Sequence, residues 1–158
     1  MPRTLRVVLL LLSLALLAAC GGTPHKKLVF PPSASVQELA ILPGNGGWKL
    51  KLRLQSFSNV PHTISTVKAK LSIEGVTAAT LERSPNLTIG PKGVEIEEIV
   101  FKPAVAAQTR IAAALSEGRS AMYELSGELV SSEPDKRNDS FKFEGQLWPV
   151  PGLSGVLR

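Results

Sequence analysis

The chain has little of what catalytic sites are usually built from. Its 158 residues include one cysteine, Cys20, and two histidines, His25 and His62. Aspartate occurs only at Asp135 and Asp139. A single cysteine excludes an internal disulfide and any metal site built from several thiolates. Aromatic residues make up 5% of the chain, too few for an extended surface on which sugars or bases stack, although Trp48 and Trp148 remain. No Gly-x-Ser-x-Gly nucleophile elbow is present. Gly44-Asn45-Gly46-Gly47 lacks the Lys-Ser/Thr pair and following helix that a phosphate loop needs. Residues 135–139 lack the alternating ligands and distal glutamate of a calcium loop. Two carboxylate pairs, Glu95 with Glu97 and Glu124 with Glu128, fall on strand faces expected to be wet. His62 follows Pro61 and reads as a surface turn residue. The expectation is a protein that is not an enzyme, with no catalytic residues, cofactor or metal.

Long apolar runs are also absent, with one exception at the amino terminus. Arg3 and Arg6 precede Val7 to Ala19, which is apolar except for Ser13. Basic, apolar and small-residue regions in that order are those of a secretory signal peptide. Thirteen helical residues would span about 20 Å, short of the roughly 30 Å hydrocarbon core that a spanning helix must cross. Leu17-Ala18-Ala19-Cys20 resembles the lipobox of bacterial lipoproteins. That resemblance implies a diacylglycerated Cys20 thiol and cleavage just before it. One acyl chain anchors only marginally, and two or more hold a protein stably on a membrane. Gly21 follows Cys20 where lipoproteins retained in the inner membrane usually carry Asp. The resemblance thus implies a cell-envelope location, lipid-anchored at the outer membrane and facing the periplasm.

Removing residues 1–19 leaves 139, enough for one domain with its own core. It also removes Arg3 and Arg6, so the net charge falls from +5 to +3. That excess is too small to argue for nucleic acid. The expected organisation is a signal peptide over 1–19, a lipidated tether over 20–33, a domain over 34–150 and a tail over 151–158.

The domain is patterned as strands. Trp48, Leu50, Leu52 and Leu54 alternate with Lys49, Lys51, Arg53 and Gln55, a half-buried strand of period two. Val67, Ala69, Leu71 and Ile73 repeat the pattern and end at a Glu74-Gly75 turn. Strands are also expected over 36–42, 76–82 and 94–101. In the last of these Val94 and Ile96 have one parity, Ile99 and Phe101 the other. A β-bulge near Glu97-Glu98 would bring both pairs to the core. Pro103 to Glu117 is the one helical stretch, with Pro103 suited to a first turn and Gly118 to the position after the last. Its expected core positions are Val105, Gln108, Ile111, Ala112 and Leu115, and it should cap one end of the fold. Tyr123, Leu125 and Leu129, then Phe141, Phe143 and Leu147, form a hairpin joined by a long polar loop over 134–139. The predicted class is all-β, an antiparallel sandwich of immunoglobulin or fibronectin-III type with one inserted helix at about 103–117.

The order of these motifs resembles a known family. Leu50-Lys51-Leu52-Arg53-Leu54 leads to a turn with Asn59 and Pro61. Leu71-Ser72-Ile73-Glu74-Gly75-Val76 ends a strand in a glycine turn. Gly90-Pro91-Lys92-Gly93 precedes an acidic and apolar strand, and a helix leads to Tyr123-Glu124-Leu125-Ser126-Gly127. Together they resemble the water-stress and hypersensitive-response (WHy) domain of late embryogenesis abundant type 2 proteins and bacterial lipoproteins. In that family Asn-Pro pairs often follow the alternating strand, and here Ser56-Phe57 stands in the first such place. The resemblance implies a stress-protective or binding module and supplies no catalytic residues.

One surface feature stands out. Lys49, Lys51 and Arg53 share a face, as do Lys68 and Lys70. If these strands pair, five cations lie together and could touch anionic envelope polymers or lipid headgroups. The alternative is a solvated face whose charges pair with glutamates on neighbouring strands. Expected partners are therefore the membrane through Cys20, and envelope proteins or anionic polymers.

Overall fold

The structure is a computed structural model that describes residues 26–44 and 46–158. The proposed leader and Cys20 lie outside the described residues. Nine strands and one helix follow in order: β1 (Ser33–Ile41), β2 (Trp48–Gln55), β3 (His62–Ile73), β4 (Val76–Arg83), β5 (Leu87–Ile89), β6 (Val94–Phe101), α1 (Val105–Glu117), β7 (Ala121–Glu133), β8 (Arg137–Leu147) and β9 (Val156–Leu157). They form two antiparallel sheets packed as a sandwich. One sheet has the order β6-β2-β1-β9; the other has β4-β3-β7-β8, with β5 also paired to β3.

The alternation in β2 sets the core. Trp48, Leu50, Leu52 and Leu54 are buried, and the Lys and Arg side chains between them are half-exposed. Each buried leucine contributes about 2 kcal/mol by leaving water. Val67, Ala69, Leu71 and Ile73 of β3 and Leu125 and Leu129 of β7 face them from the other sheet. Glu74 and Gly75 both have positive φ, 48° and 75°. That conformation is one glycine adopts freely, and it turns β3 tightly into β4.

The structure moves the expected bulge. β6 pairs with β2 in unbroken register from Trp48↔Phe101 to Gln55↔Val94. Ile99 is buried, whereas Val94 and Ile96 are exposed. No shift near Glu97-Glu98 rescues the second parity; β6 is an edge strand, and only part of it covers core. In this sheet the register shift sits in β1, between Val36 and Glu38. There Gln37 and Glu38 stand against Lys51 alone, so Val36 and Leu39 both turn inward despite their opposite parities.

α1 begins after Ala104, whose backbone N–H donates to Ala78 O at 2.8 Å. Gly118, at φ 64°, closes it, with its N–H directed to Ala114 and Leu115 carbonyls. The helix lies at the end of the sandwich marked by the Glu74-Gly75 turn, where Arg119 pairs with Glu74. Its buried positions are Ala107, Ile111 and Ala114; of the expected stripe Ile111 is buried, Gln108 and Leu115 are half-buried, and Val105 and Ala112 are exposed. Val105 is 77% exposed. Small alanines let the helix backbone approach the sheet closely, which a face led by Val105 would prevent.

Two further expectations change. The loop between β7 and β8 is only 134–136, and Arg137 already belongs to β8, so Asp139 is a strand residue. The last residues are not a free tail. Val156 and Leu157 pair with β1, and Leu157 is fully buried. Among the described residues, no helix is long and apolar enough to cross a membrane.

Candidate functional site

The five cations of the proposed stripe do not meet. β2 and β3 belong to different sheets, so Lys49, Lys51 and Arg53 project from one outer face and Lys68 and Lys70 from the opposite one. Lys51 pairs with Glu38 at 3.0 Å and Lys68 with Glu82 at 3.6 Å. Arg53 donates to Gln55 Oε1 at 2.6 Å. Lys51 and Lys68 are thus paired with glutamates on neighbouring strands, β1 and β4, whereas Arg53 bonds within its own strand.

Glu38 is the most constrained of these partners. The β1 bulge places it on the outer face, where Lys51 and Arg158 converge on its two oxygens, Arg158 Nη2 at 2.7 Å. Glu38 is nevertheless buried. The hydrogen bond from Lys51, then that from Arg158, holds its carboxyl below the usual glutamate range, against the opposing effect of burial. Arg158 ties the last strand to the bulge. The cross-strand Glu38–Lys51 pair was open to sequence reasoning only if the bulge could be placed.

A second polar cluster lies inside the sandwich at the opposite end from α1. His62 is fully buried in β3 and not a surface turn residue. Its Nε2 lies 2.6 Å from Ser131 Oγ on β7. Arg137 on β8 donates to Asp139 Oδ1. Two shifts of register in β3, between Thr63 and Thr66, turn both His62 and Ile64 inward ahead of Val67. His62 Nδ1 and Asp139 Oδ2 are buried without a partner among the described residues. Burial, and then the nearby Arg137 cation, lowers the His62 pKa; Asp139 works in the opposite direction. The structure thus gathers a serine, a histidine and an aspartate that the sequence separates widely. Ser131 is itself fully buried, so no substrate reaches its hydroxyl. The one sequence signal for Ser131 was its parity, shared with Leu125 and Leu129.

A concavity of about 910 Å³ opens between Ile41, Pro43, Leu115, Pro149, Val150 and Leu153. Its walls carry no titratable side chain. Among the described residues, no three His, Cys, Asp or Glu side chains gather as a metal site.

The remaining candidate is the free side of β6. This strand ends its sheet, runs eight residues without proline or bulge, and exposes Ile96 and Val100. Glu95 and Glu97 share the parity of Ile99 but stand beyond the covered core. One guard is visible: Arg83 Nη2 donates to Val100 O at 3.3 Å. An unbulged, partly apolar edge of this kind is usually blunted in single-chain proteins.

No family profile matches this chain, and no curated protein matches it. Solved structures with a similar shape are distant. A protein from Archaeoglobus fulgidus is 10% identical, at a TM-score of 0.45, over 78% of this chain and 98% of its own. A solution structure from Arabidopsis thaliana is 12% identical, at 0.49, over 83% and 85% respectively. A putative late embryogenesis abundant protein is 13% identical, at 0.48, over 84% and 74%.

Proposed function

We propose that the chain is a non-catalytic binding module of the cell envelope, anchored through Cys20, which engages an extended protein segment along β6. The observation that carries this reading is the open β6 edge. Its unpaired backbone groups offer the hydrogen bonds of strand addition, and Ile96 and Val100 offer contacts for alternate side chains. Glu95, Glu97 and Glu98 favour a basic segment. The buried Ser131 and the uncharged walls of the concavity beside Leu115 support a role without catalysis. The lipobox resemblance supports outer-membrane anchoring. The motif order shared with WHy domains favours a second reading, a stress protectant that acts on many clients.

Crosslinking in native membranes, read by mass spectrometry, separates the two. Wild-type chain is compared with Cys20→Ser and with Ile96→Lys/Val100→Lys. One dominant partner, lost in both variants, is expected. A diffuse set of neighbours that ignores the β6 substitutions refutes the binding module and leaves the protectant.

A further inference from the structure

At the end of the sandwich opposite α1, three segments are tied together by hydrogen bonds. Leu28 N–H donates to Asn59 Oδ1 at 2.8 Å, and Asn59 N–H returns a bond to Leu28 O at 3.1 Å. Phe30 N–H donates to Ser58 Oγ at 3.0 Å. Ser56 N–H donates to Gly93 O at 3.0 Å, and Lys92 N–H to Ser58 O at 2.9 Å. Residues 26–30, 56–59 and 92–94 therefore form one surface. Ser56 and Ser58 turn inward and are fully buried, which leaves Phe57 between them turned out.

This surface is apolar where polar loops would be expected. Leu28, Phe30, Phe57 and Val94 are each between 40% and 47% exposed. Around them stand Lys26, Lys27 and Lys92. Lys27 pairs with Asp135 at 3.3 Å; Lys26 and Lys92 have no carboxylate partner among the described residues. Glu133 and Glu95 flank the surface on the neighbouring strands. Exposed aromatic and aliphatic side chains rimmed by lysine match the layered chemistry of a bilayer interface, with acyl chains below and phosphates above.

The course of the chain points to the same occupant. Asn59 Nδ2 donates to Lys26 O at 2.8 Å, which holds Lys26 at this end of the sandwich. Lys26 stands six positions after Cys20, a reach of at most about 20 Å. An anchor at Cys20 therefore brings this end, and not the α1 end, to the membrane.

We propose that this end is a bilayer-docking surface, in which Leu28, Phe30, Phe57 and Val94 enter the interfacial layer and Lys26 and Lys92 contact anionic headgroups. The proposal rests on the anchoring reading above. It adds an orientation: the domain stands on its tether end, with β6 rising from the membrane and α1 farthest from it.

The test uses the full chain in vesicles of phosphatidylethanolamine and phosphatidylglycerol, some with brominated acyl chains. In a Trp148→Phe background, Phe57→Trp reports on the tether end and Val105→Trp on the α1 end. Bromine is expected to quench the Phe57→Trp chain strongly and leave the Val105→Trp chain unchanged. Adding Lys26→Gln and Lys92→Gln should weaken docking about fivefold per lysine on anionic vesicles. Equal quenching at both ends, quenching at neither, or docking indifferent to the two lysines would overturn the proposal. The mass of the Cys20 peptide is read on the same sample. An unacylated Cys20 refutes the anchor, while quenching still reports which end of the vesicle-bound chain meets lipid.

Discussion

Tyr123 spans the sandwich to the backbone of Val36. Its hydroxyl accepts from Val36 N–H at 3.3 Å and donates to Val36 O at 3.4 Å. The contact joins β7 in one sheet to β1 in the other, beside the bulge that begins at Val36. Burial raises the Tyr123 pKa, with the bond to Val36 opposing it, so the phenol stays protonated and can donate.

Tyr123→Phe keeps the ring, stacked on Phe143 at 6.1 Å, and removes only the hydroxyl. Stability should fall by about 1 kcal/mol, since both hydrogen bonds are long. Urea unfolding checks this. An unchanged midpoint would mean the cross-sheet bond contributes nothing.

Gly127 of β7 lies opposite Ala69, and a side chain there has no room. An added Cβ would sit 1.9 Å from Lys68 O. The obstacle is backbone in the middle of the sheet, so it cannot swing aside. Gly127→Ala should cost roughly 3 kcal/mol or more. Gly90→Ala, where an added Cβ meets nothing within 4 Å, should stay within about 0.5 kcal/mol of wild type. Thermal unfolding of the two variants side by side is the measurement.

Glu38 links Lys51 and Arg158, and its folded-state pKa is depressed from 4.5. A lowered carboxyl pKa contributes stability above the unfolded value and loses it as pH falls through the folded value. Wild-type stability should therefore drop below pH 4.5. Glu38→Gln should cost about 1–3 kcal/mol at neutral pH, because both cations lose a charged acceptor. It should also flatten the acid limb. Urea midpoints measured across the acid range read both effects.

His62 acts earlier on the acid side. Its folded pKa lies below 6.5, mainly because burial disfavours the cation. As pH falls below 6.5 the unfolded chain takes up a proton that the folded chain resists, so stability declines until the folded pKa is reached. His62→Gln retains a donor and acceptor near Ser131 without the titration. It should remove the loss that begins just below pH 6.5 and leave the Glu38 limb in place. A variant whose stability falls with pH in parallel with wild type would show that His62 protonates freely when folded.

These residues divide into those that local pattern reveals and those that it hides. Period-two alternation placed β2 with the bounds found in the structure, because one strand face must bury Leu50, Leu52 and Leu54. The Glu74-Gly75 turn and the Gly118 helix end were legible because positive φ is a local demand on the backbone. β1 was less legible. Val36 and Leu39 differ in parity, and only the bulge reconciles them. β6 raised the same conflict, and the structure answered it by leaving Val94 and Ile96 outside.

The sequence by itself determined the all-β class, the buried face of β2, the one helix among the described residues and the poverty of catalytic side chains. These follow from periodicity and composition, which act over a few residues. Tertiary structure decided what depends on distant neighbours. It placed β2 and β3 in separate sheets and so divided Lys49, Lys51 and Arg53 from Lys68 and Lys70. It buried His62 against Ser131 and brought Asp139 to the same end. It also recruited Leu157 and Arg158 to β1. Where a strand carries no bulge, its own alternation settles which side chains share a face; whether that face is buried is settled by chain folded back from far away in sequence.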